Sequence, residues 1–342
     1  MREVTNLLEV LGSELPVLAA PMSGGPTTPA LVLAATAAGS AGSLAAGYKS
    51  AADLAAQIGE VRAATDHYGV NLFSPGQVAV DRAAYTAYRE LLLPLADSYG
   101  VELPVEPVED DDGWLAKIDV LVEAAPPLVS FTFGLPDPAG AAALQRAGSF
   151  IVQTVTSVEE ARRAAEVGLD ALIVQSCDAG GHWGTFTPEQ PPPRRRLPDL
   201  VREVRASCDL PVMAVGGIGT RADVAAALDA GAQAVAVGTL LLLADEAGTN
   251  PAHRAGLGGD RGDPVTTRAF SGRPAGGLPN AFLAAYDGRG PLGYPAVHHL
   301  TSPIRRAAAA QADPEHVNLW AGTGYRGATE RPAGEILREL LP

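Results

Sequence analysis

Residues 211–239 read PVMAVGGIGTRADVAAALDAGAQAVAVGT, two short apolar runs separated by an Ala-rich stretch. Pro211–Val215 and Ala234–Val237 are continuously apolar, which is typical of strands buried on both faces of a parallel sheet. Between them, Thr220 and Gly231 are residue types that commonly begin and end a helix. This stretch therefore predicts a strand–helix–strand unit.

The same alternation extends toward the N-terminus, where six further apolar runs occur. The eight predicted strands are Pro16–Met22, Gly42–Ala46, Tyr68–Phe73, Leu128–Phe133, Ser149–Val155, Ala171–Gln175, Pro211–Val215 and Ala234–Val237. Eight strands, each followed by a helical stretch, predict an α/β fold of the (β/α)8 TIM barrel type. An open, doubly wound sheet is the alternative, but residues 21–26 after the first strand lack the GxGxxG spacing of its phosphate loop.

Ala-rich and amphipathic stretches between these runs predict the helices. The predicted helices include Pro29–Ala38, Ala51–Ala64, a region ending near Tyr99, Trp114–Ala124 and Asp199–Ser207. Ser157 begins another helix, and Glu160 follows it at the spacing of a capping box.

The pattern changes after Thr239. Residues 245–300 are rich in Gly, Pro and Arg and show no clear strand, whereas Pro279–Tyr286 and Pro303–Asp313 have helical character. We predict a barrel over residues 1–244, a small C-terminal helical lid subdomain over 245–318, and a segment over 319–342 that returns to the barrel. A plain surface appendage is the alternative to a lid.

The composition limits the partners. The net charge is −14 in 342 residues, and acidic chains are repelled by nucleic acids and anionic membranes. The acidic run at residues 106–112 is predicted to be a solvated loop. Two cysteines, no signal peptide and no long apolar span indicate a cytoplasmic protein. We expect a small-molecule substrate, no nucleic acid and no membrane, with a homodimer left open.

Glycines follow the last two predicted strands. Gly216 and Gly217 come after the seventh strand, and Gly238 and Thr239 come after the eighth. In TIM barrels these two loops commonly bind a phosphate through backbone N–H groups. The sequence therefore predicts a phosphate-bearing ligand, and tight turns without a ligand are the alternative.

His182 lies in the stretch QSCDAGGHWG, residues 175–184, after the sixth predicted strand. Because glycines flank it at the end of the barrel where catalytic residues collect, we predict that it lies on a loop and acts as an acid or base. The other five histidines are interpreted as structural. No HxxxH or CxxC spacing predicts a metal site, and Cys177 is a weak candidate nucleophile because it lacks a cationic neighbour.

Polar residues at other strand ends suit a flat redox ring. Such a ring needs amides and backbone N–H groups near its polar edge. The candidates are Ala20, Pro21, Met22, Ser23, Asn71, Ser130, Gln175, Gly180 and Gly181.

Taken together, these motifs resemble the nitronate monooxygenases, formerly grouped as 2-nitropropane dioxygenases, in the class with a catalytic histidine. The stretches that carry the resemblance are Ala20–Met22, Asn71–Phe73, Ser130–Gly134, Gln175–Gly184, Gly216–Ile218, Gly238–Thr239, Gly272–Ala275 with Asn280, and Leu319–Gly322. The resemblance implies FMN without a metal, with Gly216, Gly217, Gly238 and Thr239 at its phosphate. It implies that Met22, Ser23, Asn71, Gln175, Gly180 and Gly181 surround the flavin, and that His182 is the base or orients the substrate.

The implied reaction is FMN-dependent oxidative denitrification of alkyl nitronates, such as propionate 3-nitronate, with O₂ to a carbonyl compound and nitrite. The chain departs from the family pattern at Ser176, Asp178, Gly276 and Thr323, which bears on the substrate more than on the cofactor. The alternatives are an NAD(P)H-dependent FMN quinone or enoyl-thioester reductase, a flavin-free isomerase or aldolase barrel, and a non-catalytic flavin-binding protein.

Overall fold

The computed structural model describes residues 6–76 and 78–342. It confirms the TIM barrel and all eight predicted strands, each shortened by at most a few residues. The barrel strands are β1 (Val17–Ala19), β2 (Ser43–Ala45), β3 (Gly69–Phe73), β4 (Leu128–Thr132), β5 (Phe150–Val155), β6 (Ala171–Gln175), β8 (Val212–Val215) and β9 (Ala234–Val237). All pair in parallel in the order β1-β9-β8-β6-β5-β4-β3-β2, and a bridge between Ala19 and Gly42 closes the ring.

A second, three-stranded antiparallel sheet lies outside the barrel. It contains β7 (Gly181–His182), β10 (Val265–Thr267) and β11 (Ala275–Gly277), in the order β10-β11-β7. Two predictions are wrong here, because residues 245–300 do contain strands and His182 lies in a strand, paired with Ala275, instead of a loop. Strands of two or three residues are too short to produce a periodic pattern in the sequence.

Thirteen helices occur in the described chain. They are α1 (Leu7–Leu11), α2 (Pro29–Ala37), α3 (Ala51–Arg62), α4 (Arg82–Tyr99), α5 (Trp114–Ala124), α6 (Pro138–Ala147), α7 (Val158–Glu166), α8 (Leu197–Arg205), α9 (Arg221–Asp229), α10 (Pro251–Leu257), α11 (Ala281–Tyr286), α12 (Ala296–Ala310) and α13 (Ala333–Glu339). None of these described helices combines the length and apolar character that crossing a bilayer requires.

Two predicted helix boundaries need correction. The helix predicted over Pro303–Asp313 begins at Ala296, so that Pro303 lies inside α12. The last barrel strand is followed directly by a 3₁₀ turn, Thr239–Leu241, and an α-helix begins only at Pro251.

Side-chain caps explain where several helices begin. Thr220 caps α9 in a full capping box, in which the Asp223 side chain accepts from the Thr220 N–H. Ser157 caps α7 as predicted, because its hydroxyl accepts from the Glu160 N–H. The second half of that predicted capping box is wrong: the Glu160 carboxylate accepts instead from Thr156, Thr185 and Phe186. Glu160 thereby fixes the chain that follows β7.

The hydrophobic clusters of the protein pack around the barrel and close one of its ends, which leaves a cavity inside the barrel. The main core packs the outward faces of the strands against the surrounding helices. At the barrel's N-terminal end, Leu7 and Leu11 of α1 pack with Phe150 and Met213 and fill the interior. A third cluster joins α4 to α11 and α12 through Tyr88, Phe282 and Leu300. The barrel is therefore closed by α1 at one end and covered by the C-terminal helices near the other. The predicted domain boundaries stay a prediction.

Candidate active site

A cavity of about 300 Å³ occupies the C-terminal end of the barrel. Its volume lies at the lower end of the range typical of small-molecule sites. The structure brings all of the predicted site residues to this one cavity: Ala20, Pro21, Met22, Ser23, Asn71, Ser130, Gln175, Gly180, Gly181, His182, Gly216, Gly217, Gly238 and Thr239. Their convergence shows a single site, and the contact that each makes with a flavin stays a prediction.

The glycines after β8 and β9 leave backbone donors available. Gly216 and Gly217 have φ angles of 105° and 74°, which favour glycine because a side chain is strained there. The N–H groups of Gly217, Gly238 and Thr239 donate to no acceptor within the described residues. Unpaired donors grouped at a cavity wall are suited to an anion such as a phosphate.

Three backbone segments cross in direct contact beside this wall. A Cβ on Gly180 would lie 2.6 Å from the Gly322 nitrogen, and one on Gly276 would lie 2.5 Å from the Ala179 oxygen. The Gly322 N–H also donates to the Thr239 hydroxyl at 3.0 Å. Gly276, where the chain departs from the family pattern, thus lies at a crossing that leaves no space for a side chain.

We expect Gly180→Ala to lower the free energy of unfolding by about 1–3 kcal/mol, the usual cost of overpacking. The matched control is Gly59→Ala in the exposed face of α3, where a Cβ would meet nothing within 4 Å. That control should gain roughly 0.5–1 kcal/mol from helix propensity. Urea unfolding of both variants tests this, and equal effects of the two substitutions would contradict the crossing described above.

His182 projects among aromatic side chains. Its ring makes edge contacts with Phe133, Tyr294 and Trp320, with centroids 5.5–5.6 Å apart. Its Nε2 atom lies 2.7 Å from the Ser271 hydroxyl. The ring is thus held by one hydrogen bond and three aromatic neighbours, and Nδ1 has no partner among the described residues.

The surroundings of His182 keep the imidazole neutral. Burial, followed by the charges of Arg273 and Arg305, lowers its pKa to about 3. The imidazole ring is half-buried and lines the cavity. Its pKa is lowered because the charged form is poorly solvated away from bulk water. A neutral imidazole can accept or donate a proton, depending on its tautomer.

The predicted amides differ in their availability. Gln175 donates to the His182 carbonyl at 3.2 Å and accepts from the Gly184 N–H at 2.7 Å. Its oxygen is therefore occupied in holding the chain around His182. Asn71 donates to the Ser130 and Thr132 hydroxyls at 2.9 and 3.1 Å, in keeping with the β3–β4 register that pairs Asn71 with Ser130. No donor among the described residues reaches the Asn71 side-chain oxygen, which is therefore available to a ligand.

Arg273 is a buried cation that supports β7 from outside the cavity. Its guanidinium donates to the carbonyls of Trp183 and Thr185 and lies 4.1 Å from the Phe133 ring centroid. It therefore fixes the strand that carries His182 and raises the positive potential around that ring.

Cys177 is not suited to act as a nucleophile. Burial and the adjacent Asp178 charge raise the pKa of its thiol. A protonated thiol is a poor nucleophile, and both cysteines are free in the structure.

Sequence reasoning missed several polar residues that line the cavity. Among them are Tyr48, Ser271, His298, Arg305 and Asn318. His253 and His298, interpreted from the sequence as structural, also line the cavity. No local signal marks these residues, because the C-terminal segment brings most of them to the barrel only through long-range packing.

The acidic run is largely exposed, as predicted, but some of its carboxylates make specific contacts. Asp112 accepts from the Tyr48 N–H at 3.0 Å and pairs with the buried Lys117 at 2.7 Å. Asp110 lies 2.8 Å from His299 on α12. The run thus connects the chain after β2 to α12 at the edge of the cavity.

His253 makes stability depend on pH. Burial lowers its pKa to about 4, and its Nε2 lies 3.1 Å from the Trp320 carbonyl. The unfolded histidine takes up a proton below about pH 6.5 and the folded one does not. The unfolding free energy therefore falls as the pH falls from 6.5 to 4, by up to about 1.4 kcal/mol per pH unit for this group.

We expect His253→Gln, whose side chain does not titrate, to show a shallower loss of stability over this pH range. Urea unfolding of both proteins at pH 7, 6 and 5 gives the comparison, and only the slopes are compared because packing also changes. Identical slopes would show that His253 is not held neutral in the folded protein.

Known proteins resemble this chain along nearly its whole length. The model of a family described as nitronate monooxygenase matches residues 5–342. A nitronate monooxygenase of Pseudomonas aeruginosa is 39% identical, over 97% of this chain and 97% of that protein. The structure of a nitroalkane oxidase from Streptomyces ansochromogenes is 41% identical with a TM-score of 0.92, covering 97% of this chain and 96% of that one. The structure of FabK from Thermotoga maritima is less similar, at 26% identity and a TM-score of 0.73 over 98% and 94% of the two chains.

Proposed function

Since this chain belongs to the nitronate monooxygenase family, we propose that it binds FMN and oxidises alkyl nitronates with O₂ to carbonyl compounds and nitrite. Family membership makes the protein an oxidoreductase acting on nitronates. The cofactor, the use of O₂ and the products belong to the proposal. The observation that carries it is the position of His182 on the wall of the same cavity as the unpaired glycine N–H groups.

The residues present fit FMN. The N–H groups of Gly217, Gly238 and Thr239 would hold its phosphate, and the free oxygen of Asn71 suits an N–H of the ring. When bound, the flavin would take electrons from the nitronate and pass them to O₂. The protein's own part is to bind and orient the substrate and to limit its contact with water.

His182 and Ser271 would together donate a hydrogen bond to the nitronate or accept the α-proton of a neutral nitroalkane. The Ser271 hydroxyl can donate to Nε2 or accept from it. In the first case Nδ1–H donates to a nitronate oxygen, and in the second the Nδ1 lone pair can take the α-proton of a neutral nitroalkane. One hydrogen-bonded pair thus serves both forms of the substrate.

The visible spectrum of the purified protein tests the proposal. We expect a flavin spectrum that bleaches when propionate 3-nitronate is added without oxygen and returns when air is admitted, with nitrite released. Bleaching by NADPH but not by the nitronate would support the reductase alternative. A colourless protein that takes up no FMN would contradict the proposal.

A further inference from the structure

The cavity reaches deep into the barrel. Side chains alternate between the two faces of a strand, and on β4 the residues Leu128, Ser130 and Thr132 all line the cavity. At about 3.3 Å per residue, Leu128 and Thr132 lie ~13 Å apart along the strand. Leu11 of α1, the helix that closes the N-terminal end, lines the same cavity. The cavity therefore runs along the whole length of β4.

Small side chains on the inner face of the barrel leave this space. The interior of a TIM barrel is normally filled by layers of bulky branched side chains. Here Ala20, Ala41 and Ala236 belong to the interior cluster and also line the cavity. Because an alanine side chain is a single carbon, it ends well short of the barrel axis. The interior thus stays open down to Leu11.

The lower part of the cavity is apolar. This part, which we name the floor chamber, is lined by Leu11, Leu18, Ala41, Leu128, Met213 and Ala236. The Ser43 hydroxyl also reaches this level, because Ser43 pairs in register with Gly69, and Gly69 with Leu128. An ordered buried water needs about two to four polar partners, and one hydroxyl does not supply them. The floor chamber is therefore suited to an apolar molecule.

The polar groups that a flavin and a nitronate require lie at the other end of the cavity. The unpaired N–H groups of Gly217, Gly238 and Thr239 follow β8 and β9, and His182 lies on β7. On the last barrel strand Ala236 precedes Gly238 by two residues, which is ~7 Å of strand. Ligands held at those amides and at His182 would leave the floor chamber to a smaller, apolar molecule.

We propose that the floor chamber binds dioxygen, so that O₂ is supplied from the barrel interior while the nitronate binds beside His182. O₂ is the apolar reactant of the reaction proposed above, and apolar molecules are driven from water into apolar surroundings. The two reactants then have separate positions and do not compete for one. The identity of the gas rests on the proposed function, whereas the existence of a gas-binding chamber does not.

Xenon, an apolar gas that binds in dry apolar cavities, is the first probe. In crystals of the FMN-loaded protein under xenon pressure, we expect xenon in contact with Leu128 and Met213. Ala236→Val and Ala41→Val add methyl groups from two sides of the chamber, and either should remove the xenon. The matched control is Ala55→Val on the exposed face of α3, which should retain it. Xenon missing from the floor chamber of the parent protein would overturn the proposal.

Oxygen kinetics test the occupant. We expect kcat/KM for O₂ to fall about 3–10-fold in Ala236→Val and in Ala41→Val and to stay unchanged in Ala55→Val. Bleaching of the flavin by propionate 3-nitronate without oxygen should stay at the parent rate in all three variants, because none of them touches His182.

Two kinetic outcomes would contradict dioxygen as the occupant. They are loss of xenon with an unchanged kcat/KM for O₂, and equal slowing of the oxygen reaction and of anaerobic bleaching. A protein that holds xenon but consumes no O₂ would refute the proposed function and with it the identity of the gas. Missing xenon in a protein that oxidises nitronates would refute the chamber alone.

Discussion

Replacing His182 by asparagine is expected to slow oxidation of a neutral nitroalkane about 10²–10⁴-fold, the usual contribution of a positioned base. Oxidation of the nitronate should slow less, because only a hydrogen bond to the substrate anion is lost. Asparagine removes the ring nitrogen left free by Ser271 but keeps a polar side chain of similar reach. Because the pKa of His182 is lowered to about 3, the imidazole is neutral from pH 5 to 8. We therefore expect the same loss across that range, measured as kcat/KM with the neutral nitroalkane.

The matched control is His67→Asn, the same substitution at an exposed histidine outside the cavity. It should leave kcat/KM unchanged, and the flavin content of both variants should equal that of the parent. Full activity of His182→Asn on both the nitronate and the neutral nitroalkane would remove His182 from the chemistry.

Placing a negative charge at Gly238 is expected to abolish FMN binding at micromolar concentrations. Gly238 has a φ of −115°, and a Cβ there would meet the flexible Met22 side chain at 3.3 Å and the Ala20 Cβ at an ordinary contact distance of 3.7 Å. Gly238→Asp would thus be tolerated sterically while its carboxylate faces the phosphate. Like charges 4 Å apart repel by about 4 kcal/mol at an effective dielectric constant of 20, and after solvent screening we expect a rise in Kd of at least ~100-fold.

Gly238→Asn supplies the isosteric, uncharged control. It should bind FMN within about tenfold of the parent protein, as measured by flavin fluorescence quenching on titration of the apoprotein. Equal Kd values for the Asp and Asn variants would show that the phosphate does not lie at these amides.

The barrel was predictable because its strands are buried on both faces. Runs such as Ala171–Gln175 and Ala234–Val237 are continuously apolar and separated by capped helices, and the structure has strands with the same bounds. The short strands β10 and β11 were not predictable, since three residues carry no period. The helix containing Pro303 was misplaced because proline is normally found at or near a helix start, whereas here it lies inside α12.

The residues of the site were predictable only where they follow a barrel strand in the sequence. His182 and the glycines at 216, 217 and 238 follow barrel strands, and fold topology brings such positions together. Ser271 and Arg305 reach the cavity from the C-terminal segment, and Tyr48 is held there by Asp112. Their positions depend on packing between distant parts of the chain, which no local pattern encodes.

The crossing at Gly180, Gly276 and Gly322 limits which parts of the cavity wall can change when substrate preference changes. Three backbones in direct contact cannot shift past one another without breaking the site, so the loop before His182 is closed to insertions and larger residues. The wall formed by α12 and the chain after β2, by contrast, is held together by side chains. Variation among homologues with new substrates is therefore expected to concentrate at Tyr48, His298 and Arg305.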